Sequence, residues 1–272
     1  MISRDDSTAQ VDPLKLSRFL LDEGIDRGVN LHQPAQALSV SKDARGELAS
    51  IRIVADDGTE TDIPCTRLIL TAGAWTPRVF TTLFPSSTTS IPISQLAGHS
   101  LVLRSPRWSK EHEDGGCHAI FATEEKGFSP EMFSRMGGEI YIAGLNSSDI
   151  PLPDKATDAT PSPAALDRLR LVATKMLGVP GAEKDDLEVL REGLCFRPVT
   201  SSGRPIVSRI ADEKLGEGWK TRGGAEGGVF VAGGHGPWGI SMSLGTGKLL
   251  SEMVEGKGKG EMSANVRSLA LS

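Results

Sequence analysis

The chain has 272 residues, 38% of them hydrophobic and 24% charged, with a formal net charge of −5. Such a length and composition predict one or two globular domains with a real core, and they exclude an intrinsically disordered chain. The net negative charge and the absence of a cluster of basic residues disfavour a nucleic-acid partner. No apolar run approaches the roughly 20 residues that a membrane span requires.

The cysteines and the amino terminus bear on the cellular compartment. Cys65, Cys117 and Cys195 are odd in number, widely separated and outside any C-x-x-C pair. Such thiols fit a reducing compartment. Residues 1–6 contain no apolar segment of a secretion signal, so we expect a cytoplasmic protein. These patterns leave the oligomeric state open.

The first predicted elements are one helix and three strands. The helix begins at Pro13 with Asp12 as its N-cap. Its apolar stripe consists of Leu16, Phe19 and Leu20. The strand-like runs cover residues 48–55, 59–63 and 67–71. Ligands in open α/β sheets sit at the carboxyl ends of strands, so Gly73, which closely follows the third run, predicts the approach of a ligand or another backbone.

From about residue 90 the pattern changes to separated strands rich in β-forming residues. They cover residues 99–103, 118–122, 139–145 and 187–192. Together they predict an antiparallel or mixed sheet in a second lobe. A helix is predicted between Pro163 and Gly178, with Ser162 as its N-cap. Its stripe is expected in the core and consists of Leu166, Leu169, Val172, Ala173 and Met176.

Near the end of the chain a strand-like run at 229–232 leads into the turn G-H-G-P-W-G at 234–239 and a helix over 241–254. The turn reads as G-x-G-x-x-G, which in dinucleotide-binding proteins opens a βαβ unit and precedes an acidic residue about 20 positions later. Little more than one helix can follow here, which disfavours a nicotinamide-dependent dehydrogenase. We therefore interpret the segment as a glycine turn that approaches part of a cofactor cradled mainly elsewhere.

Three ordered segments carry a family resemblance. They are I-L-T-A-G-A-W at 69–75, G-L-C-F-R-P-V-T-S-S-G-R-P-I at 193–206, and G-H-G-P-W-G-I with S-L-G-T-G between 234 and 247. They resemble signatures of FAD-dependent oxidoreductases of the D-amino-acid oxidase superfamily, glycine/sarcosine-oxidase-like branch. The resemblance implies an α/β fold of mixed α+β character with two lobes, and FAD as cofactor. It also implies oxidation of a small amine or amino acid, with hydride transfer to flavin N5, imine hydrolysis and peroxide formation.

The resemblance is incomplete at the amino terminus. Relatives open with a strand, a G-x-G-x-x-G turn and a helix that hold the ADP half of FAD, and this sequence begins near their later D-P-L-K-like stretch. We therefore expect a C-terminal fragment whose truncated flavin-binding lobe has an unfilled sheet edge and an uncovered helix layer. The expected divisions are a flavin lobe (1–88 and 222–256), a substrate lobe (89–221) and a flexible tail (257–272). The alternative is a non-catalytic flavin-domain remnant that acts as a binding or trafficking module.

The resemblance also implies a set of cofactor-binding residues. They are Ala37, Ala72, Gly73, Trp75, Gly234, His235, Gly236, Pro237, Trp238, Gly239 and Ile240. The amides at the start of the last helix carry roughly half a positive charge, which would stabilise the negative charge of reduced flavin. Gly245 and Gly247 are expected to let that helix pack closely on the sheet. A tight strand-to-helix turn without a ligand is the alternative.

Arg197 and Tyr141 are the candidate catalytic residues. Arg197 matches an arginine that, in the glycine-oxidase-like branch, pairs with the substrate carboxylate, and a guanidinium suits that task because it forms two parallel hydrogen bonds. A surface or lobe-bridging arginine is the alternative. Tyr141 could place a hydroxyl near the substrate, or it could be a half-buried sheet tyrosine. The cluster of His112, Cys117 and His118 lacks a fourth ligand and the spacing of zinc sites, so no metal is expected.

Overall fold

The computed structural model describes residues 9–123, 127–179, 186–258 and 260–271. Their helices are α1 (Pro13–Asp26), α2 (Thr76–Leu83), α3 (Lys110–Asp114), α4 (Pro163–Leu177) and α5 (Gly239–Val254). Their strands are β1 (Ala35–Lys42), β2 (Leu48–Ala55), β3 (Glu60–Pro64), β4 (Arg67–Leu70), β5 (Ser94–Arg104), β6 (Ala119–Phe121), β7 (Glu131–Arg135), β8 (Glu139–Ser147), β9 (Glu188–Val199), β10 (Ile206–Ile210) and β11 (Gly228–Gly233).

The chain divides into two compact units. The first unit contains residues 13–95 and 197–272, and the second contains residues 96–196 with the described residues 9–12. The chain passes between them within β5 and again within β9. Arg197 and the segment that follows it therefore belong to the same unit as the late glycine turn.

The first unit contains two three-stranded sheets. One is the antiparallel sheet β1–β2–β3, and the other has the order β10–β11–β4. In the second sheet β11 is central and buried along its whole length, pairing parallel with β4 and antiparallel with β10. A central strand is covered on both faces, which accounts for the continuous apolar run at 229–232.

A core cluster fills one face of the β10–β11–β4 sheet. Leu68 and Leu70 of β4 meet Val229 and Val231 of β11 there. Helix α2 covers this face with Phe80 and other apolar side chains. Each such side chain stabilises the fold by about 1.5–3 kcal/mol relative to its exposed state. The opposite face holds Val207, Phe230, Ala232 and Leu250, so α5 packs on that side.

The second unit is built around the sheet β6–β7–β8–β5–β9. Helix α4 packs its predicted stripe against this sheet, and Leu166, Leu169, Val172 and Ala173 are buried as expected. Ser162 is the N-cap residue but makes no side-chain capping bond. Instead its backbone N–H donates a hydrogen bond to Nε2 of His99 at 3.0 Å. The start of α4 is thus anchored by a buried imidazole.

This imidazole predicts a pH-dependent stability. His99 is 3% exposed, and burial lowers its pKa below the ordinary histidine value. The unfolded state therefore takes up the proton first as the pH falls, so this stabilisation is full above about pH 6.5 and is lost as the pH falls towards the lower folded pKa. Urea unfolding at pH 7.5 and 5.5 measures the loss. His99→Gln keeps a hydrogen-bond acceptor but does not titrate, so the loss of stability between pH 7.5 and 5.5 should be smaller in this variant. An equal loss in the variant and the unaltered chain would contradict the role of His99.

The segment predicted to be a flexible tail makes specific contacts where the structure describes it. The carboxylate of Glu252, in the last turn of α5, accepts the backbone N–H of Ser263 at 2.8 Å and also the Ser263 hydroxyl. These bonds hold the pKa of Glu252 below its usual range. Leu271 joins the core cluster under α2, and its carbonyl accepts a bond from Lys214 Nζ at 3.2 Å. The last described residues therefore lie against the first unit.

Within the described ranges, none of the helices is both long enough and apolar enough to cross a membrane.

Candidate functional site

The parallel pair β4 and β11 brings two of the resembling segments to one edge of the sheet. Leu70 is the register partner of Val231, so both strands end at nearly the same level. The chain leaves β4 through Ala72 and Gly73 into a 3₁₀ turn before α2, and it leaves β11 through Gly234 into another before α5. The predicted residues Ala72, Gly73, Trp75 and 234–240 therefore lie at the same edge, where ligands bind in sheets of this kind.

The third resembling segment reaches this edge from β9. A Cβ built on Gly234 would lie 2.5 Å from the Cγ2 methyl of Thr200, and one built on Gly236 would lie 3.9 Å from Cγ1 of Val199. Arg197 stands three residues before Thr200 on the same chain segment and is partly buried. The structure thus groups the Arg197 segment with the glycine turn, although the two are far apart in sequence.

The glycines at this edge have backbone conformations that side chains rarely adopt. Gly73, Gly234 and Gly236 have φ values of 57°, 77° and 56°. The space in front of Gly73 is open, since no atom would lie within 4 Å of a Cβ at that position. Left-handed glycines with open space before them expose backbone to anything that lies against the turn. At Gly73 the main chain is therefore accessible to a ligand, whereas Gly234 is covered by Thr200.

The start of α5 supplies an electropositive end to the same surface. The N-cap residue of α5, Trp238, makes no side-chain capping bond, and the first N–H groups of a helix have no acceptor within the helix itself. Uncapped amides of this kind favour a ligand with negative charge or acceptor oxygens. Trp238 and Ile240, which flank the helix start, are 59% and 50% exposed. The helix end is therefore open to a ligand that has both polar and apolar parts.

His235 ties the turn to the helix that follows it. Its Nε2 is hydrogen-bonded to Oγ1 of Thr246 at 2.9 Å. Burial lowers the pKa of His235, which favours a neutral ring near neutral pH. A neutral imidazole places no positive charge of its own beside the helix end, so the electropositive character of this edge comes from backbone amides.

Two predicted site residues belong to other sheets than the grouped turns. Ala37 is on β1 in the other sheet of the first unit, where it packs against the core cluster. Tyr141 is on β8 of the second unit, partly buried beside Phe133 and under the guanidinium of Arg135, whose Cζ is 4.5 Å from the ring centre. The roles suggested for these two residues stay predictions.

The expectation for Gly245 and Gly247 is wrong. No atom lies within 4 Å of a Cβ built on either residue, and both are exposed. They point away from the sheet because the packed side of α5 is formed by Leu249, Leu250 and Met253. Space for close helix packing exists there, but no element among the described residues occupies it.

Two threonines at this edge escaped sequence reasoning. Thr200 covers Gly234, and Thr76, at the start of α2, is fully buried with a hydroxyl that has no partner in the described structure. A Cβ on Gly233 would lie 3.9 Å from that hydroxyl oxygen. Thr76 belongs to no periodic pattern, and Thr200, although it lies inside the resembling segment at 193–206, was not singled out there because its contact with Gly234 depends on tertiary packing. Buried polar groups without partners cost stability, and their presence beside a site is a recognised feature of functional regions.

The histidine and cysteine cluster of the second unit has an aromatic environment. His112 stacks on Trp108 with ring centres 5.4 Å apart, and His118 meets the same indole edge-on at 5.8 Å. Across the described part of the chain, no group of three or more His, Cys, Asp or Glu side chains is arranged to hold a metal ion.

The profile of the family described as DAO, FAD dependent oxidoreductase, matches residues 3–253. The chain belongs to this family. The glycine turns at the sheet edge are therefore those of a FAD-dependent oxidoreductase family member, and the resemblance seen in the sequence is confirmed.

Individual proteins are similar to this chain over most of its length. The curated protein "Putative oxidoreductase TDA3" of Saccharomyces cerevisiae is 26% identical over 284 residues, which cover 92% of this chain and 48% of that protein. The fold is similar to glycine oxidase from Geobacillus kaustophilus, with a TM-score of 0.67 and 18% identity over 94% of this chain and 57% of that one. It is also similar to iminodiacetate oxidase from Chelativorans sp. BNC1, with a TM-score of 0.65, 17% identity and the same two coverages, 94% and 57%.

These likenesses confirm the mixed α/β fold. The chain spans about half the length of the curated relatives it matches, 48% of one and 42% of another. Three of the solved structures that it resembles are named iminodiacetate oxidase, glycine oxidase and L-proline dehydrogenase.

Proposed function

We propose that this chain takes part in the FAD-dependent oxidation of a small amine or amino acid. The observation that supports the proposal is the convergence of three segments, at 72–75, 197–204 and 234–240, on one edge of the β10–β11–β4 sheet. Each segment contributes a different property to that edge: open backbone, a guanidinium-bearing strand, and an uncapped helix end. When bound, FAD supplies the oxidant by accepting a hydride from the carbon next to the amine.

The residues at this edge fit a flavin ring. Gly73 and Gly236 have left-handed backbones, and no heavy atom would lie closer than 3.9 Å to a Cβ on either, so a planar group can approach the main chain closely. The first N–H groups of α5 would donate to the oxygen-bearing side of the ring and stabilise negative charge that develops there. Trp238 and Ile240 would supply apolar contact. These backbone groups need no conformational change to act as donors.

Arg197 is proposed to hold the substrate. Its guanidinium would bind a carboxylate through two parallel hydrogen bonds and stay charged while partly buried. The segment that carries it is packed on the glycine turn through Val199 and Thr200. A substrate held by Arg197 would therefore be oriented relative to the turn, and orientation is a large part of what such a reaction requires of a protein.

The proposal is tested by titrating the ligand-free chain with FAD. We expect saturable quenching of tryptophan fluorescence, because Trp238 lies on the proposed surface. Binding should be weak, with a dissociation constant of roughly 10–100 µM, since this edge presents few groups compared with a full cofactor pocket. Flavin fluorescence polarisation with Trp238→Phe is the control, because that variant loses quenching but not binding. No saturation at millimolar FAD would contradict the proposal.

A second candidate function is a non-catalytic binding module, and one observation favours it. Helix α1 has no buried residue, although Leu14, Phe19 and Leu20 are 53%, 59% and 44% exposed. A groove of about 240 Å³ runs between α1 and α5. It is lined by Pro13, Leu16, Ser17, Leu20, Gly239, Ile240 and Ser243. Contiguous apolar surface of this kind marks a site where another polypeptide packs.

The binding-module candidate makes its own prediction. If the α1–α5 groove binds polypeptide, the chain should sediment as an assembly at micromolar concentration, because exposed apolar helix faces associate. Leu20→Lys should shift sedimentation towards the monomer. Leu171→Lys, which changes a leucine of α4 that is 57% exposed, is the matched control. Monomeric behaviour of the unaltered chain would count against this function.

A further inference from the structure

Thr200 follows the end of β9 and lies beside the glycine turn. Its methyl and its hydroxyl make separate contacts. The Cγ2 methyl covers Gly234, because a Cβ built there would lie 2.5 Å from that methyl and 3.8 Å from Cβ of Thr200. The hydroxyl donates a hydrogen bond to the carbonyl oxygen of Arg204 at 2.7 Å. The side chain thus contacts the turn on one side and its own loop on the other.

The loop that follows Thr200 has its own internal bonds. The backbone N–H of Gly203 donates to the carbonyl of Thr200 at 3.1 Å, and that of Arg204 donates to Oγ of Ser202 at 3.3 Å. These bonds close the loop locally. These bonds fix the conformation of the loop, and the loop in turn holds the Thr200 methyl against the turn.

We propose that Thr200 is a positioning residue that fixes the 234–239 turn against the strand segment that carries Arg197. The inference rests on the proposed function, in which the turn meets the flavin ring and Arg197 binds the carboxylate. With the methyl in place, the backbone of Gly234 cannot move towards β9, whereas the hydroxyl bond holds the loop at Arg204 to the same side chain. Val199 adds a weaker contact at Gly236. One side chain therefore sets the spacing between the cofactor surface and the substrate clamp.

The test separates the two ends of the side chain. Thr200→Ser keeps the hydroxyl and removes the methyl, whereas Thr200→Val keeps the methyl and removes the hydroxyl. Thr81→Ser is the matched control, because Thr81 is exposed on α2 and its hydroxyl also bonds a carbonyl four residues away, that of Pro77 at 3.0 Å. Amide hydrogen exchange of the ligand-free chain gives one readout, and the dissociation constant for FAD gives the other.

We expect Thr200→Ser to make the amides of 234–238, apart from Pro237, which has no N–H, exchange about five-fold faster, while amides 229–231 of β11 keep their rates. Thr200→Val should leave amides 234–238 unchanged and accelerate exchange at residues 203 and 204. Where the unaltered chain binds FAD, Thr200→Ser should weaken binding about ten-fold without shifting the thermal midpoint, and Thr200→Val should bind FAD as tightly as the unaltered chain. This pattern distinguishes positioning from general support of the fold.

Two exchange results would overturn the inference. One is equal exchange at 234–238 in Thr200→Ser and the unaltered chain; the other is a uniform acceleration that includes β11. If FAD binds, an unchanged dissociation constant in Thr200→Ser would overturn it as well. Exchange is measured without cofactor. If the unaltered chain does not bind FAD, the proposed function is therefore contradicted, while the exchange rates still test the role of Thr200.

Discussion

Gly234→Val is expected to unfold or severely destabilise the first unit and to abolish flavin binding. Gly234 has a φ of 77°, which a β-branched residue adopts only under strain, and its Cβ would meet the Thr200 methyl at 2.5 Å. Strain and overpacking together should lower the free energy of unfolding by about 3 kcal/mol or more. Urea denaturation measures the change.

A neighbouring glycine supplies the control for this prediction. Gly245→Ala lies within α5, where no atom is within 4 Å of the added methyl. Alanine favours helix, so the variant should be unchanged or up to about 1 kcal/mol more stable. If Gly234→Val and Gly245→Ala had similar stabilities, the described geometry of the turn would be wrong.

Arg197→Ala is expected to raise KM for an amino-acid substrate about 100-fold in flavin-loaded protein, because two charge-assisted hydrogen bonds to the carboxylate are lost. An amine substrate that lacks a carboxylate should show little change in KM. Arg197→Lys should recover only part of the loss, since an ammonium cannot form the parallel pair of bonds. Steady-state kinetics with the paired substrates give the comparison.

The control for the substrate clamp is Arg204→Ala, an exposed arginine of the same segment. Its side chain has no proposed role, and its backbone carbonyl, which binds Thr200, is kept. Equal KM values in Arg197→Ala and the unaltered protein would show that another group binds the carboxylate.

The strand ends that carry the two glycine turns could be predicted from the sequence, whereas several of the elements around them could not. A strand-like run followed by Gly73 and a strand-turn-helix pattern at 229–254 placed two glycine turns at strand ends, and parallel pairing of β4 and β11 brings such ends together. Strand β10 and helix α2 were not predicted, since a five-residue strand and an eight-residue helix hold too few periods for a clear pattern. Helix α1 was predicted correctly, but its stripe is exposed, because amphipathic spacing does not reveal which partner covers it.

Contacts between distant residues were beyond sequence reasoning. Thr200 and Gly234 are 34 positions apart, and only the packing of their loops places one over the other. Gly245 and Gly247 illustrate the reverse error: a glycine in a helix pattern is compatible with close packing and with open surface. Whether such a glycine is packed or exposed depends on the atoms that surround it. Among the described residues, no atom lies within 4 Å of a Cβ built on Gly245 or Gly247.

Our central proposal is that the backbone of the 234–239 turn and the start of α5 face a flavin ring. Amide hydrogen exchange of the chain with and without saturating FAD tests it most directly. We predict slower exchange at residues 234–242 and 72–75, with little change in the β1–β3 sheet. Protection confined to other segments, or none at a FAD concentration that saturates fluorescence quenching, would contradict it.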